Sequence, residues 1–569
     1  MWRWFRLGLA GTALVLLLVA LGLPSRTDGP TTVGRAAIAG SADAHRPIVR
    51  THEAPSLAVD RDNPMVVYLS DVDLTTGACH FSVSIDGGVT WRSEVAPELD
   101  PWTRNCAMGS GRPQNVRTEL HEGPDDTLSY VFQGNDPDAG GSRAVLLARS
   151  RDGGRSWSTI LVDAGPVAAT PEEVEVNFQG HLAVDPKQPS VVYVMWRRAF
   201  PQVDPAVRAR PSQAFFATSR DGGATFSPPA QLPDIEPGGD GPRPLIVGGT
   251  VYAFYRQVQP PLPVGDAGPA PTPPLTRLFV AASRDQGRTW ARAEIAAARD
   301  AGEPVPAYDP DRKLFYAVWH DNRQEELDIW FSSSPDAVTW SPPTLLNDDP
   351  RGTRVGQHFP QLSLSPNGRI DVAWYDWRDD PFPAPTVGGG NVLSAFGNRG
   401  KVASVYLTTS RDGGRTWARN VRVNDQLIDR TVGTWANNYD VVVPPAIASL
   451  GNGALVAWSD TRNATYIDQS QDIAVATVTY GTAKAVRITG IQAALAGTML
   501  GLGVAMWVAL LIVRPGSGRR RPPRPQDRSR RSGHAGRRAA QGAVHPPSAG
   551  RFRTGRTKRG AGSGGHRTS

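Results

Sequence analysis

Ser84-Ile85-Asp86-Gly87-Gly88-Val89-Thr90-Trp91 is one copy of a phrase that returns along the whole chain. Close copies run from Ser150 to Trp157 (SRDGGRSW), Ser219 to Phe226 (SRDGGATF), Ser283 to Trp290 (SRDQGRTW) and Ser410 to Trp417 (SRDGGRTW). A worn copy, Ser334 to Trp340 (SPDAVTW), lacks the glycines and is one residue short. A short carboxylate followed by glycine is hairpin-turn chemistry: glycine supplies positive φ, and Asp accepts backbone N–H bonds a few residues on. Each copy follows an apolar run such as Phe81-Ser82-Val83, Leu278-Phe279-Val280 or Val405-Tyr406-Leu407. Each is therefore a strand–turn–strand unit, and its aspartates (Asp86, Asp152, Asp221, Asp285, Asp336, Asp412) are expected to hold turns rather than do chemistry. One phrase repeated at intervals means one supersecondary unit repeated.

The phrase resembles the Asp-box, or BNR, repeat of sialidases and sialidase-like β-propellers, over about residues 46–480. The resemblance implies an all-β propeller of four-stranded blades. It implies much less about function, because one fold hosts many activities.

Each Asp-box sits late in a longer unit. The unit opens with a strand and turn (PSLAVDRDNP at 55–64, HLAVDPKQP at 181–189, PVPAYDPDRK at 304–313, PQLSLSPNGR at 360–369, PAIASLGNG at 445–453), and a second strand follows. Seven units start near 54, 113, 181, 243, 304, 359 and 443, so seven blades are favoured and six is the alternative. The seventh lacks an Asp-box and an evident fourth strand. The segment around Pro47-Ile48-Val49 is expected to supply that strand and close the ring, removing the exposed edges.

The ends carry the membrane signals. Arg3 and Arg6 precede an uncharged run from Leu7 to Ser25, the form of an export signal, cleaved or kept as an anchor. Ala37-Ile38-Ala39 has the small-x-small form of a cleavage site but lies far from that run. Ile488 to Val513 is uncharged and, at about 1.5 Å per residue, long enough for a tilted membrane helix. Arg514 and Arg519-Arg520-Arg521 follow at once, which places the tail inside and the propeller outside. The expected organisation is a leader or signal-anchor with linker over 1–39, the propeller over 40–482, a transmembrane helix over 483–513 and a disordered basic cytoplasmic tail over 514–569. The tail holds 16 Lys and Arg and one acidic residue, or +15, so of the chain's +7 the remainder carries −8. Phe552 is the tail's one aromatic, so nucleic acid is a poor partner. Cys79 and Cys106 are the only cysteines, and an exported chain permits a disulfide between them, two buried thiols being the alternative. The Ala-, Arg-, Gly- and Pro-rich composition suggests a GC-rich bacterial genome.

A four-stranded antiparallel blade puts its Asp-box on one face and its long connections on the other, where a binding site is expected. A second phrase ends strand two on that loop face: Trp319-His320-Asp321-Asn322-Arg323, Trp374-Tyr375-Asp376-Trp377-Arg378 and Trp458-Ser459-Asp460-Thr461-Arg462, with Trp196-Arg197-Arg198 a partial copy. Its Asp and Arg either pair with each other, within or between blades, or its arginines clasp a ligand carboxylate in bidentate fashion. His358 and His181 are candidate ligands or acid–base groups, with a hydrogen bond to a neighbouring loop as the plainer use. Trp435, Asn438 and Tyr439 precede the seventh blade and resemble a phrase found there in bacterial sialidase-like propellers. No spacing points to zinc, and no metal ligands are singled out; Asp379, Asp380 and Asp440 would be the oxygen donors if Ca²⁺ bound.

The family's enzymes use three arginines for the substrate carboxylate, a tyrosine nucleophile assisted by a glutamate, and an aspartate acid/base, an exception among glycosidases. This chain departs from the pattern: the family's Arg-Ile-Pro phrase is absent. Arg378, Tyr439, Asp376 and Glu173 are the residues carried over as catalytic candidates. Two functions follow: a membrane-anchored extracytoplasmic module binding a glycan or protein on a face that includes His320, Asp321, Arg323, His358, Trp377, Arg378, Trp435, Asn438, Tyr439, Asp460 and Arg462, or an exo-sialidase or related glycoside hydrolase.

Overall fold

A computed structural model describes residues 32–33, 37–39, 51–74, 76–104, 106, 118–135, 143–165, 176–199, 212–232, 239–258, 275–324, 326–351, 355–381, 402–433, 443–465 and 470–480. These residues form seven antiparallel sheets of a β-propeller. The innermost strands, in chain order, are His52–Val59, Glu119–Glu122, Val176–Val184, Gly239–Val247, Val305–Asp309, Gln357–Leu364 and Ala446–Ser449. Blades 1 to 6 run outward in simple up-and-down order. The expected count of seven is therefore the observed one.

Blade 7 is closed from the other end of the chain. Thr32–Val33 and Ala37–Ala39 pair antiparallel with Asp472–Thr479. The N-terminal closure expected from the sequence is present and comes from residues 32–33 and 37–39; the segment 47–49 lies outside the described residues. Chain reach explains the difference. The outermost strand of one blade lies three strand spacings, roughly 14 Å, from the innermost strand of the next. Three residues from Val49 to His52 span at most roughly 10 Å. The sheet thus extends N-terminal of residue 40, and Ala37-Ile38-Ala39 is strand.

The Asp-box turns behave as their chemistry dictates. In blade 1 the Ser84 hydroxyl donates to Asp86 at 2.7 Å and accepts from the Gly88 N–H at 2.9 Å. Asp86 accepts the Thr90 N–H at 2.8 Å and the Thr90 hydroxyl at 2.6 Å. The bonds from Thr90, then Ser84 and Val89, hold the Asp86 carboxyl down at about 2. The same lattice surrounds Asp152, Asp221, Asp285 and Asp412. The worn copy keeps it at Asp336, with Ala337 at φ +58°. The second glycine also seats the turn on the preceding blade: Gly154 lies over Phe81, Gly223 over Leu147, Gly287 over Phe216 and Gly414 over Phe331. Local turn chemistry and inter-blade packing therefore share one residue.

Between blades the core is aromatic and aliphatic, and Trp196, Trp319, Trp374 and Trp458 are fully buried. One ion pair is buried with it. The Arg369 guanidinium donates to Asp371 at 2.9 and 2.8 Å and to the Leu450 and Gly453 carbonyls at 2.9 and 2.7 Å, tying blade 6 to blade 7. Such a pair is tolerated because further hydrogen bonds surround it, from Arg369 to the Gly451 carbonyl and from the Ser449 and Tyr480 hydroxyls to Asp371. Cys79 and Cys106 form the expected disulfide.

Among the described residues no helix is long and apolar enough to cross a membrane. The apolar run 488–513 and the basic tail lie outside the described residues, as do the export signal, Glu173, Trp435, Asn438, Tyr439 and Asp440.

Candidate site in the central channel

The inner strands run from the loop face toward the Asp-box face and wall a central channel. A cavity of about 330 Å³ opens in it, and all seven blades contribute to its lining. The registers show how. In every blade one inner-strand residue faces the second-strand position just before a buried residue, which is Trp196, Trp319, Trp374 or Trp458 in four blades, Phe132 and Tyr255 in two, and the smaller Asp71 in blade 1. The facing residues are Ser56, Glu119, His181, Arg243, Val305, Gln361 and Ala446. All seven line the cavity. The fold thus builds a ring with one side chain per blade. Blades 1 to 4 and blade 6 make it polar; blades 5 and 7 make it apolar.

A recurrent bulge aims this ring. Four inner strands slip register just before the ring residue, between Glu53 and Ser56, Phe178 and His181, Asp240 and Arg243, and His358 and Gln361. The extra residue has left-handed φ each time: Ala54 (60°), Gln179 (54°), Gly241 (59°) and Phe359 (54°). Only one of the four is glycine. Bulges re-aim side chains at barrel rims, and left-handed non-glycine residues cost about 1 kcal/mol or more unless the surroundings impose them.

Three consecutive blades put charge in the channel. The His181 Nδ1 is hydrogen-bonded to Glu119 Oε2, and Oε1 accepts the Leu182 N–H at 3.3 Å. Burial would raise the Glu119 pKa, but His181, then Arg243, outweigh it and hold the carboxyl below its usual range. The carboxylate fixes the His181 Nδ1 proton and so directs basicity to Nε2. His121 lines the same cavity, and burial lowers its pKa against the opposing pull of Glu119, which keeps it a neutral imidazole near neutral pH. The set offers an anion, a cation, an imidazole and the Ser56 and Gln361 side chains to anything entering from the loop face. Val305, Pro306, Leu362, Pro444 and Ile447 supply an apolar wall.

The second-strand phrase has its structural use. Trp319, Trp374 and Trp458 each donate the indole N–H to the aspartate two residues on, at 2.7, 2.9 and 2.8 Å. The arginine two residues further grips the same carboxylate: Arg323 on Asp321, Arg378 on Asp376 and Arg462 on Asp460, with Nε–O distances of 2.8, 3.0 and 2.9 Å. Arg378 also reaches Asp348 at 2.6 Å, and Arg462 reaches Asp425 at 2.8 Å, bridging to the preceding blade. In blade 3, Asn177 replaces the aspartate, accepting from Trp196 and Arg198. Neither Arg378 nor Asp376 lines the channel cavity. Of the catalytic candidates carried over from the sequence, these two are brought together with each other, and Tyr439 and Glu173 lie outside the described residues.

His320 and His358 meet between blades 5 and 6. The Phe359 N–H donates to His320 Nδ1 at 3.3 Å, the imidazoles stand 5.6 Å apart, and Trp377 packs edge-on to His358 at 4.7 Å. Asp379 accepts from the Ser404 and Tyr406 hydroxyls. A grouping absent from the sequence reading is His52, Asp71 and His80 on blade 1.

Glu119 and Arg243 were not singled out in the sequence, although a signal exists. The ring residue stands four before the residue that opens the first turn: Ser56 before Asp60, His181 before Asp185, Val305 before Asp309, Gln361 before Ser365. Aligning the units on that turn exposes the ring.

No family model matches the chain, and no curated protein sequence matches it. Among solved structures it is similar to a Hadza microbial sialidase, at 14% identity over 73% of this chain and 74% of that one (TM-score 0.40). It is similar to a GH93 α-L-arabinofuranosidase of Fusarium graminearum, at 14% identity over 61% and 92% (TM-score 0.39). It is also similar to the endosialidase of phage phi92, at 10% identity over 81% and 70% (TM-score 0.40). The activities in those names belong to those proteins.

Proposed function

We infer that this propeller is a recognition module that takes a glycan into the loop-face mouth of its channel. It would be held outside the membrane by the run 488–513, with the basic tail inside. The observation that carries the reading is the ring. A seven-fold repeat needs no polar residue at this position, yet five blades place Ser56, Glu119, His181, Arg243 and Gln361 there. Hydroxyl-rich ligands suit such a set of donors and acceptors, and the apolar wall suits the C–H face of a sugar ring. Turnover is not part of this reading, because Arg323, Arg378 and Arg462 are spent on Asp321, Asp376 and Asp460. A hydrolase is the second reading, favoured by the Glu119–His181 couple, which is built to hold and move a proton.

The test applies the purified full chain to an array of sialylated and neutral glycans and, separately, to a fluorogenic sialoside. Binding that falls tenfold or more in Glu119→Gln and Arg243→Gln, without hydrolysis, supports the recognition module. Hydrolysis that collapses in Glu119→Gln replaces it with the enzyme. Neither binding nor hydrolysis by the folded protein refutes the channel as the site.

A further inference from the structure

We propose that His52, Asp71 and His80 form a binding site for a divalent transition metal of the zinc type, at the seam where blade 1 meets blade 7. The argument begins with a break in the repeat. At the second-strand position where four blades bury a tryptophan, blade 1 buries Asp71, at 2% exposure. Its register partner on the third strand is His80, and the inner strand brings in His52, which pairs with Asp73. Blade 1 thus sets a carboxylate between two imidazoles where blade 3 has Trp196 between Asn177 and Phe215. Burying an ion there is costly unless a cation compensates it.

The three side chains converge as ligands do. His52 Nδ1 lies 2.5 Å and His80 Nδ1 3.0 Å from different oxygens of Asp71, and one donor atom from each residue lies within 4.8 Å of the others. Ligands at about 2.0–2.2 Å from a tetrahedral Zn²⁺ stand roughly 3.3 Å from one another, so a small outward rotation of the imidazoles makes room. His80 is the outermost ligand, with its side chain 24% exposed, which leaves a direction for a water ligand. Nitrogen donors exclude a hard Ca²⁺ or Mg²⁺ site and suit zinc and its first-row neighbours.

The surroundings hold these ligands in place. His80 Nε2 is 3.2 Å from the Ser93 hydroxyl, the kind of outer hydrogen bond that fixes a metal-bound imidazole. The Cys79–Cys106 disulfide pins the residue next to His80. The His52 N–H donates to the Gln471 carbonyl at 2.8 Å, and the Gln471 side chain returns a bond to the His52 carbonyl at 3.2 Å, across the seam to blade 7. Asp73 and Asp472 add negative charge facing His52. A cation here would cross-link the three inner strands of blade 1 beside the closing blade.

The experiment uses untagged full chain, stripped with a chelator and reloaded with Zn²⁺ or Co²⁺ alone. Expected results are one zinc per chain by elemental analysis after gel filtration, d–d absorption bands with Co²⁺, and a melting temperature raised by Zn²⁺. His80→Gln, at the most exposed ligand, should weaken Zn²⁺ binding by about a hundredfold while keeping a cooperative melt. Glu294→Gln, on the outermost strand of blade 4 and outside the cluster, should bind as the parent does. Substoichiometric zinc, a melt that Zn²⁺ does not move, or His80→Gln binding like the parent overturns the proposal and leaves a metal-free His–Asp–His hydrogen-bond network.

Discussion

Gly154→Ala is the substitution that separates turn chemistry from blade packing. Gly154 has φ +85°, and a Cβ built there would lie 2.2 Å from Phe81 Cε1 and 2.5 Å from Cζ. Phe81 is fully buried and packs edge-on to Trp157 at 5.1 Å, so it has nowhere to retreat without moving a second ring. The neighbouring Gly153 is also left-handed, at φ +71°, but its Cβ would meet nothing nearer than the Tyr68 hydroxyl at 3.3 Å. The two glycines therefore share the backbone penalty of roughly 1–2 kcal/mol. Both also recover about 0.4–1 kcal/mol as alanine reduces unfolded-chain entropy. Only Gly154→Ala adds overpacking, at about 1–3 kcal/mol. Gly153→Ala should then cost about 1 kcal/mol and Gly154→Ala about 2–4 kcal/mol. Guanidinium denaturation followed by tryptophan fluorescence measures both. Phe81→Leu should absorb part of the extra cost, giving a non-additive double variant. Costs for the two glycines within about 0.5 kcal/mol of each other would refute the claim that the second Asp-box glycine is required by the neighbouring blade.

Two further predictions concern charge and closure. Glu122 is half-buried, and burial, then Asp60, push its carboxyl up to about 7 from 4.5. Its native state keeps a proton that the unfolded chain has released between those values, so this group's contribution to stability falls as pH rises from 4.5 to 7. Glu122→Gln should match the parent near pH 4 and exceed it by about 1 kcal/mol at pH 8 after allowance for solvent screening; an equal difference at both pH values would contradict the assignment. A chain beginning at residue 40 lacks the strands that pair with Asp472–Thr479 and should melt earlier and aggregate more readily than one beginning at residue 30. Identical melts would show that the ring does not depend on residues 32–39.

The parts legible in the sequence were those whose forces act over a few residues. Asp86 bonds only to Ser84, Val89 and Thr90 within its turn, so the phrase itself specifies the hairpin, and six copies specify repeated blades. The Trp-x-Asp-x-Arg phrase is equally local: Trp374 and Arg378 both close on Asp376, two residues away in either direction. The disulfide was open to inference because only one pairing of two cysteines exists. Chain reach, a property of distance through space, moved the closing strand from 47–49 to 32–39. The channel ring and the blade 1 cluster belong wholly to the tertiary structure. Glu119 and His181 are 62 residues apart, and His52 and Asp71 are 19 apart. Strand register placed each of them, and a one-residue bulge in blade 3 helps turn His181 toward the axis of the ring. Sequence determined the blades because turns are local; only the closed ring decided which side chains meet, because seven separate strands must converge before any of them can touch.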